Sequence, residues 1–299
     1  MPEIPDLTVY VEHLERRLVG ETLVKLRVAG WNLLRTAEPA LATAEGRRVL
    51  GVRRVGKRLV FAFEGGPLLA LHLMISGRLH WRTAGAVLPR RTGLAAFDFA
   101  TGSLVLTEAS TKQRAALHVL ADEAALRALD AGGVEPLAAS DAEFAAALAR
   151  EDHTLKRALT DPRLFAGIGN AYSDEILHRA RLSPFKRTSQ LAPAETARLH
   201  ASVVSVLTEW TDRLRAEAGE RFPDKVTAFH DGMAVHGRYR QPCPDCGAPV
   251  QRVVYAENEM NYCANCQTGG RLLADRALSR LLHDDWPRTL EELEERRRG

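Results

Sequence analysis

Three groups of residues in this chain have types and spacings that can do chemistry. The first is MPEIPDL, at the start. Loss of Met1 would leave Pro2 as a secondary amine with Glu3 beside it. A terminal α-amine titrates at about pH 8, about two units below a lysine. Much of it is therefore neutral and nucleophilic at pH 7, without the burial a lysine would need. The plainer alternative is a proline-capped terminus opening the helix that LTVYVEHLERRLVG suggests. These residues alone leave both readings open.

The second group is CPDC at 243–246 and CANC at 263–266, two C-x-x-C pairs separated by 16 residues, which use all four cysteines of the chain. Each knuckle brings two thiolates to one ion, and two knuckles complete a tetrahedral four-sulfur site. Cys243, Cys246, Cys263 and Cys266 are therefore expected to bind one zinc ion, with VQRVVY as one arm of an intervening β-hairpin. A closed four-thiolate site keeps no open position, so this metal is structural. Disulfides or redox pairs are the alternative, disfavoured by the lack of a thioredoxin-like βαβ context.

The third is LKRALTDPRLFAGIGNAYSDEILHRARLSP. One helix ends near Asp161-Pro162, a GIGN turn follows, and Asn170 starts the next helix. Such a turn presents backbone N–H groups that suit a phosphate. A packed corner in which Gly167 and Gly169 supply unusual dihedrals would read the same way.

These groups need elements to hold them. At 299 residues, 45% apolar and 26% charged, the chain has the profile of one large or two ordinary globular domains. Net charge is only +3, from 41 Lys and Arg against 38 acids. The basic residues cluster at GVRRVGKR, RRTG, TKQR and HGRYRQ, which allows a polyanionic partner. No apolar run reaches the roughly 20 residues of a membrane span, and no signal-peptide pattern is present, so a cytoplasmic location is expected. Residues 5–18 read as an amphipathic helix. Residues 20–120 hold short alternating runs with glycine at the breaks, the pattern of a sandwich or barrel. AGGVEPLAASD at 131–141 has a linker's composition, and helical segments follow. Trp31, Trp81, Trp210 and Trp286 read as core or tail packing, His72 as a packed strand residue, and the charged end as a frayed tail.

A Pro-Glu start, a GIGN turn and a four-cysteine hairpin stand in one order, and together they resemble the formamidopyrimidine-DNA glycosylase / endonuclease VIII family of base-excision repair enzymes. VGKRLVF, LHLMISGRL, GVEPL and AGIGNAYSDEIL each resemble a family segment, and the resemblance runs from residue 2 to about 268. It implies an α+β fold: a β-sandwich domain flanked by helices (1–130), a linker (131–141), a helix–two-turn–helix domain (142–240), a zinc finger (241–268) and a charged extension (269–299). It implies Pro2 as the nucleophile at C1′ of a damaged nucleotide and Glu3 as the acid/base. Lys57 would act at the lesion or hold a phosphate, and Asn170 would fix a phosphate beside it. Damaged double-stranded DNA is the implied partner, with single-stranded or abasic DNA as further candidates, and the protein is expected to be a monomer working at the nucleoid in the cleft between its domains.

The departures bear on specificity. Asp6 stands where the family has a longer Glu. Ile75, preceded by Met74, takes the place of a void-filling Met, and TEASTKQRAAL, offering Lys112, Gln113 and Arg114, replaces a segment with an Arg and a Phe. Asn258 occupies the position of a phosphate-gripping hairpin Arg, and Arg252 lies on the other arm. The expected function is a bifunctional glycosylase and abasic-site lyase, nicking by β/δ-elimination, with an atypical lesion preference. The alternative is a DNA-binding relative that has lost efficient excision. A transcriptional or RNA-binding zinc ribbon would explain the cysteines but not the N-terminus.

Overall fold

Helix α1 (Ile4–Leu18) begins where Pro5 fits the first turn and Asp6 faces the positive end of the helix dipole. Leu7, Tyr10, Leu14 and Leu18 recur at helical spacing and are fully buried. The computed structural model describes residues 1–255, 258–274 and 287–298. Contacts group the chain into two compact units, residues 1–132 with 208–228, and residues 133–207 with 229–299.

The first unit is a sandwich of two four-stranded antiparallel sheets. One sheet joins β1 (Lys25–Val28), β6 (Gly93–Asp98), β7 (Ser103–Glu108) and β5 (Gly77–Arg82), in that order. The other joins β2 (Val49–Val55), β3 (Arg58–Phe63), β4 (Leu68–His72) and β8 (Ala116–Leu120). The period-2 pattern decides the faces. Leu59, Phe61, Phe63, Leu69, Leu71, Leu117 and Val119 point inward and meet Ala95, Phe97, Leu104 and Leu106 of the facing sheet. Phe61 and Phe97 stack between the sheets with ring centroids 5.6 Å apart. On the other face of the second sheet, α2 (Glu123–Leu129) sets Leu126 against Val60, Leu68, Ala70 and Leu120, its N-terminus capped by Asp122.

Residues 208–228 belong with this sandwich, whereas the sequence pattern places them in one helical stretch with 142–207. Two contacts account for the difference. Arg215 pairs with Glu12 of α1 at 2.7 Å, and Phe222 packs on Tyr10 at 5.7 Å with Arg17 over its ring. The chain crosses from one unit to the other inside helix α6 (Pro193–Ala218).

The second unit comprises α3 (Asp141–Ala149), α4 (Leu155–Thr160), α5 (Asn170–Arg179), the first part of α6, a hairpin of β9 (Gln251–Tyr255) and β10 (Asn258–Tyr262), and α7 (Ala264–Thr268). Ser140 and Glu143 form a reciprocal capping box at α3, and Thr154 caps α4. Phe144 packs on Phe165 and on His200. The expected linker is structured from Gly133 onward: Val134 N–H donates to Leu164 O, and Ala166 N–H donates to Val134 O. A side chain at 133 would meet Pro162 O at 2.3 Å.

Of the tryptophans, Trp210 is buried and Trp81 half-buried against the sandwich core. The Trp31 side chain, Trp286 and the segment 275–286 lie outside the described residues. The expected frayed tail is instead a helix at Leu290–Arg298, because Leu290 and Leu293 pack on a cluster of Val253, Met260, Tyr262 and Leu272. Among the described residues no helix is long and apolar enough to cross a membrane.

The stacked pair gives a test of the sandwich. Phe97→Ala should destabilise the protein by about 3–5 kcal/mol, read as a lower denaturant midpoint. An unchanged midpoint would mean that the two sheets do not share this core.

Candidate active site and metal centre

The head of α1 is a buried, highly polar place. Pro2 is buried, and Glu3 and Asp6 are each only 3% exposed. Asp6 Oδ2 accepts the Glu3 backbone N–H at 2.9 Å, and Glu3 O accepts the Leu7 N–H at 2.9 Å. The shorter carboxylate thus serves the helix start directly and fixes the backbone of Glu3. Burial lowers the pKa of the Met1 α-amine, Glu3 and Asp6 oppose that shift, and Arg78 and Lys57 add to it. Lys57 stands in the tight β2–β3 turn, beside Gly56 at φ 57°.

Two further residues border this amine that the sequence reading did not assign. Arg78 comes from β5, where its guanidinium donates to the carbonyls of Ile75 and Gly77. His72 ends β4 and accepts the Met74 N–H through Nδ1 at 3.1 Å. Burial first, then Arg58, Lys57, His118 and the terminal amine, hold its pKa at about 4. His72 is therefore neutral at pH 7, with its proton on Nε2. Strand parity carried a signal: His72 shares a face with Ala70, opposite to the core residues Leu69 and Leu71.

The other expected DNA contacts of this unit lie on surface segments. Met74 adopts φ 54°, a left-handed conformation that strains a long side chain, and Ile75 beside it is 54% exposed. Lys112 and Arg114 are exposed in the β7–β8 loop. Buried Glu108 clamps that loop by accepting the N–H groups of Arg114 and Ala115. Pro2, Glu3 and Lys57 are thus gathered at one end of α1, while Ile75, Lys112 and Arg114 stand on loops of the same unit.

Asn170 belongs to the second unit, at the first residue of α5. Gly167 takes φ 84° to make the preceding turn, while Gly169 is extended and needs no glycine on that account. Asn170 Nδ2 donates to Glu259 O in the hairpin at 2.7 Å. One turn on, Asp174 and Glu175 are buried. Asp174 receives Lys156 Nζ at 2.5 Å, His236 Nδ1 at 2.8 Å and the Asn261 N–H at 3.0 Å. Glu175 receives the N–H groups of Ala234, Val235 and His236. Arg252 on β9 pairs with Glu259 and lies over the Tyr239 ring; the side chain of Asn258 lies outside the described residues.

The four cysteine sulfurs lie within 4.8 Å of one another, with Cys246 to Cys263 at 3.4 Å and Cys243 to Cys266 at 3.9 Å. A tetrahedral ion with M–S bonds of about 2.3 Å needs sulfurs about 3.8 Å apart, so the residues fit a four-thiolate dication. Burial and the neighbouring sulfurs push the Cys266 thiol up to about 12 and Cys263 further. Four thiolates cannot share this space without a cation. His178 Nε2 lies 3.3 Å from Cys243 Sγ, placed to donate to that sulfur from α5.

Residues 1–130 match the formamidopyrimidine-DNA glycosylase N-terminal domain, and residues 133–215 match the formamidopyrimidine-DNA glycosylase H2TH domain. A formamidopyrimidine-DNA glycosylase of Thermus thermophilus is 35% identical over 276 residues, covering 90% of this chain and all of the relative. An uncharacterized formamidopyrimidine-DNA glycosylase-like protein of Mycobacterium tuberculosis is 42% identical over 150 residues, half of this chain and 93% of its own. Among solved structures, the Lactococcus lactis Fpg protein in complex with abasic-site DNA superposes with TM-score 0.79 at 24% identity, over 89% of this chain and 99% of that one.

The buried carboxylate gives the test of this unit. Lys156→Met removes one partner of a buried ion pair and should destabilise the protein by about 3–5 kcal/mol, measured by urea unfolding. Pairing it with Asp174→Leu should recover part of the loss. A single variant as stable as the parent would show that the pair does not hold the unit together.

Proposed function

The chain belongs to the formamidopyrimidine-DNA glycosylase family, and on that premise we propose that it is a bifunctional DNA glycosylase and abasic-site lyase with Pro2 as its nucleophile. The observation that carries this reading is the head of α1. Pro2 and the Glu3 carboxylate are buried side by side there, with the Glu3 backbone fixed by Asp6.

In this reading the Pro2 nitrogen, freed by removal of Met1, attacks C1′ of a nucleotide extruded from the duplex. The C1′–N bond breaks and the base leaves with a proton. Glu3 protonates the ring oxygen as the sugar opens, leaving a Schiff base between Pro2 and C1′. Loss of a C2′ proton then expels the 3′ phosphate, which nicks the strand, and water releases the enzyme. Lys57 and Arg78 would neutralise phosphate near the lesion, and Asn170 would hold a phosphate from the second unit.

Ile75 and the aromatic-free loop with Lys112 and Arg114 support an atypical lesion preference. An unstacking wedge is ordinarily a bulky apolar or flat group, and here Ile75 is the exposed apolar side chain on the strained turn. The four cysteines would hold zinc, whose part is to keep the hairpin rigid against α5.

Two measurements test the reading. Borohydride reduction on DNA with an abasic site should trap a covalent adduct that is abolished in Pro2→Gly and strongly reduced in Glu3→Gln. No adduct from protein shown by mass to lack Met1 would leave a DNA-binding relative without excision activity. Metal analysis should find about one zinc per chain, with loss of metal and a lower melting temperature in Cys263→Ser. Full metal content in that variant would count against the four-sulfur site.

A further inference from the structure

On the outer face of the second sheet, α2 packs over Val60, Leu68, Ala70 and Leu120. The register places Arg58 opposite His72, His72 opposite Ala116, and Ala70 opposite His118. Residues directly opposite one another share a face. Arg58, His72 and His118 therefore lie on the outer surface, alongside the apolar patch of Val60, Leu68, Ala70 and Leu120 that Leu126 of α2 covers. The chain at 34–36 runs beside β8 as a further edge: Arg35 N–H donates to Leu117 O, and Val119 N–H donates to Thr36 Oγ1. Leu34 packs towards the core, which turns Arg35, the next residue, outward.

This face is cationic. Arg53 on the same face pairs with Glu123 of α2, but among the described residues no carboxylate forms an ion pair with Arg35, Arg58 or His118. Arg58 Nε is buried and has no hydrogen-bond partner among the described residues, which costs free energy. Burial, then Arg58 and Arg35, hold His118 below the usual histidine range. Burial likewise lowers Arg58, with Asp130 as the one acid that opposes it.

We infer that Arg35, Arg58 and His118 form a phosphate-binding track on the outer face of the second sheet, which holds backbone phosphates of the DNA away from the lesion nucleotide. The inference rests on the glycosylase reading, because it takes its polyanion from there. The track joins the candidate active site through His72, which lies opposite Arg58 and within electrostatic reach of Lys57 and the terminal amine. One continuous phosphodiester strand would thus meet both. The two arginines supply charge, and neutral His118 supplies an N–H donor.

The test is the salt dependence of affinity for a duplex carrying one reduced abasic site. Each phosphate contact by a cation contributes a slope of about 0.9 in log K against log salt, so the R35A/R58A double variant should lose about 1.8. R35K/R58K should keep the parental slope. Arg53→Ala, on the same face but already paired, should leave it unchanged. His118→Ala should weaken binding about two- to tenfold with no change in slope. A folded R35A/R58A variant with the parental slope would overturn the track, as would an equal loss of slope in Arg53→Ala. If the double variant fails to fold, R35Q/R58Q is compared with R35K/R58K, and equal slopes for those two overturn it. Should the parental protein itself neither bind this duplex nor give the borohydride adduct, the glycosylase reading fails; binding and trapping by the parent with unaltered slopes in the variants would remove the track alone.

Discussion

Two adjacent carboxylates buried on one turn of α5 set the terms for the whole second unit. Charged groups taken out of water are tolerated only when every lone pair finds a partner. Asp174 draws Lys156 from α4, His236 from the loop before the cysteine module and the backbone of Asn261 from β10. Glu175 gathers three successive N–H groups at 234–236. Three segments, α4, the loop at 234–236 and β10, are thereby held to one helix. The apolar content of the short hairpin would not do this by itself, since a two-stranded hairpin is marginal without support.

The metal centre and the GIGN turn are fastened to opposite ends of the same helix. Asn170 at its start donates to the hairpin backbone, and His178 near its end reaches a cysteine sulfur. Here the turn is held by a polar network with α5 at its centre, and the four-cysteine cluster lies at the far side of the hairpin. In such networks the members are worth more together than apart.

In the first unit, the residues proposed for chemistry also build structure. Asp6 begins α1 by accepting from Glu3, so the carboxylate proposed to handle protons is fixed by the helix that follows it. That helix is in turn locked on the sandwich by Leu7, Tyr10, Leu14 and Leu18. The α-amine of Met1 is depressed by burial, and Lys57 and Arg78, from the edges of two different sheets, reinforce that shift. The strain at Met74 belongs to the same region, which fits the tendency of unfavourable dihedrals to collect where function needs a particular geometry.

What could be read from the sequence was local. Helix α1, the paired C-x-x-C knuckles and the turn before Asn170 each occupy a short window in which spacing alone constrains the backbone. His72 reads locally as a packed strand residue, and the strand pairing shows it on the face opposite Leu69 and Leu71. Tertiary structure decided what depends on distant neighbours. Lys156, Asp174 and His236 are 18 and 62 residues apart along the chain, and nothing in a local pattern marks them as one network. The same holds for Arg78 beside the terminal amine, for residues 208–228 packing on α1, and for the cationic outer sheet face. The physical reason is that dihedral preferences and periodicity act over a few residues, whereas burial of charge and strand register are settled only when separated segments meet.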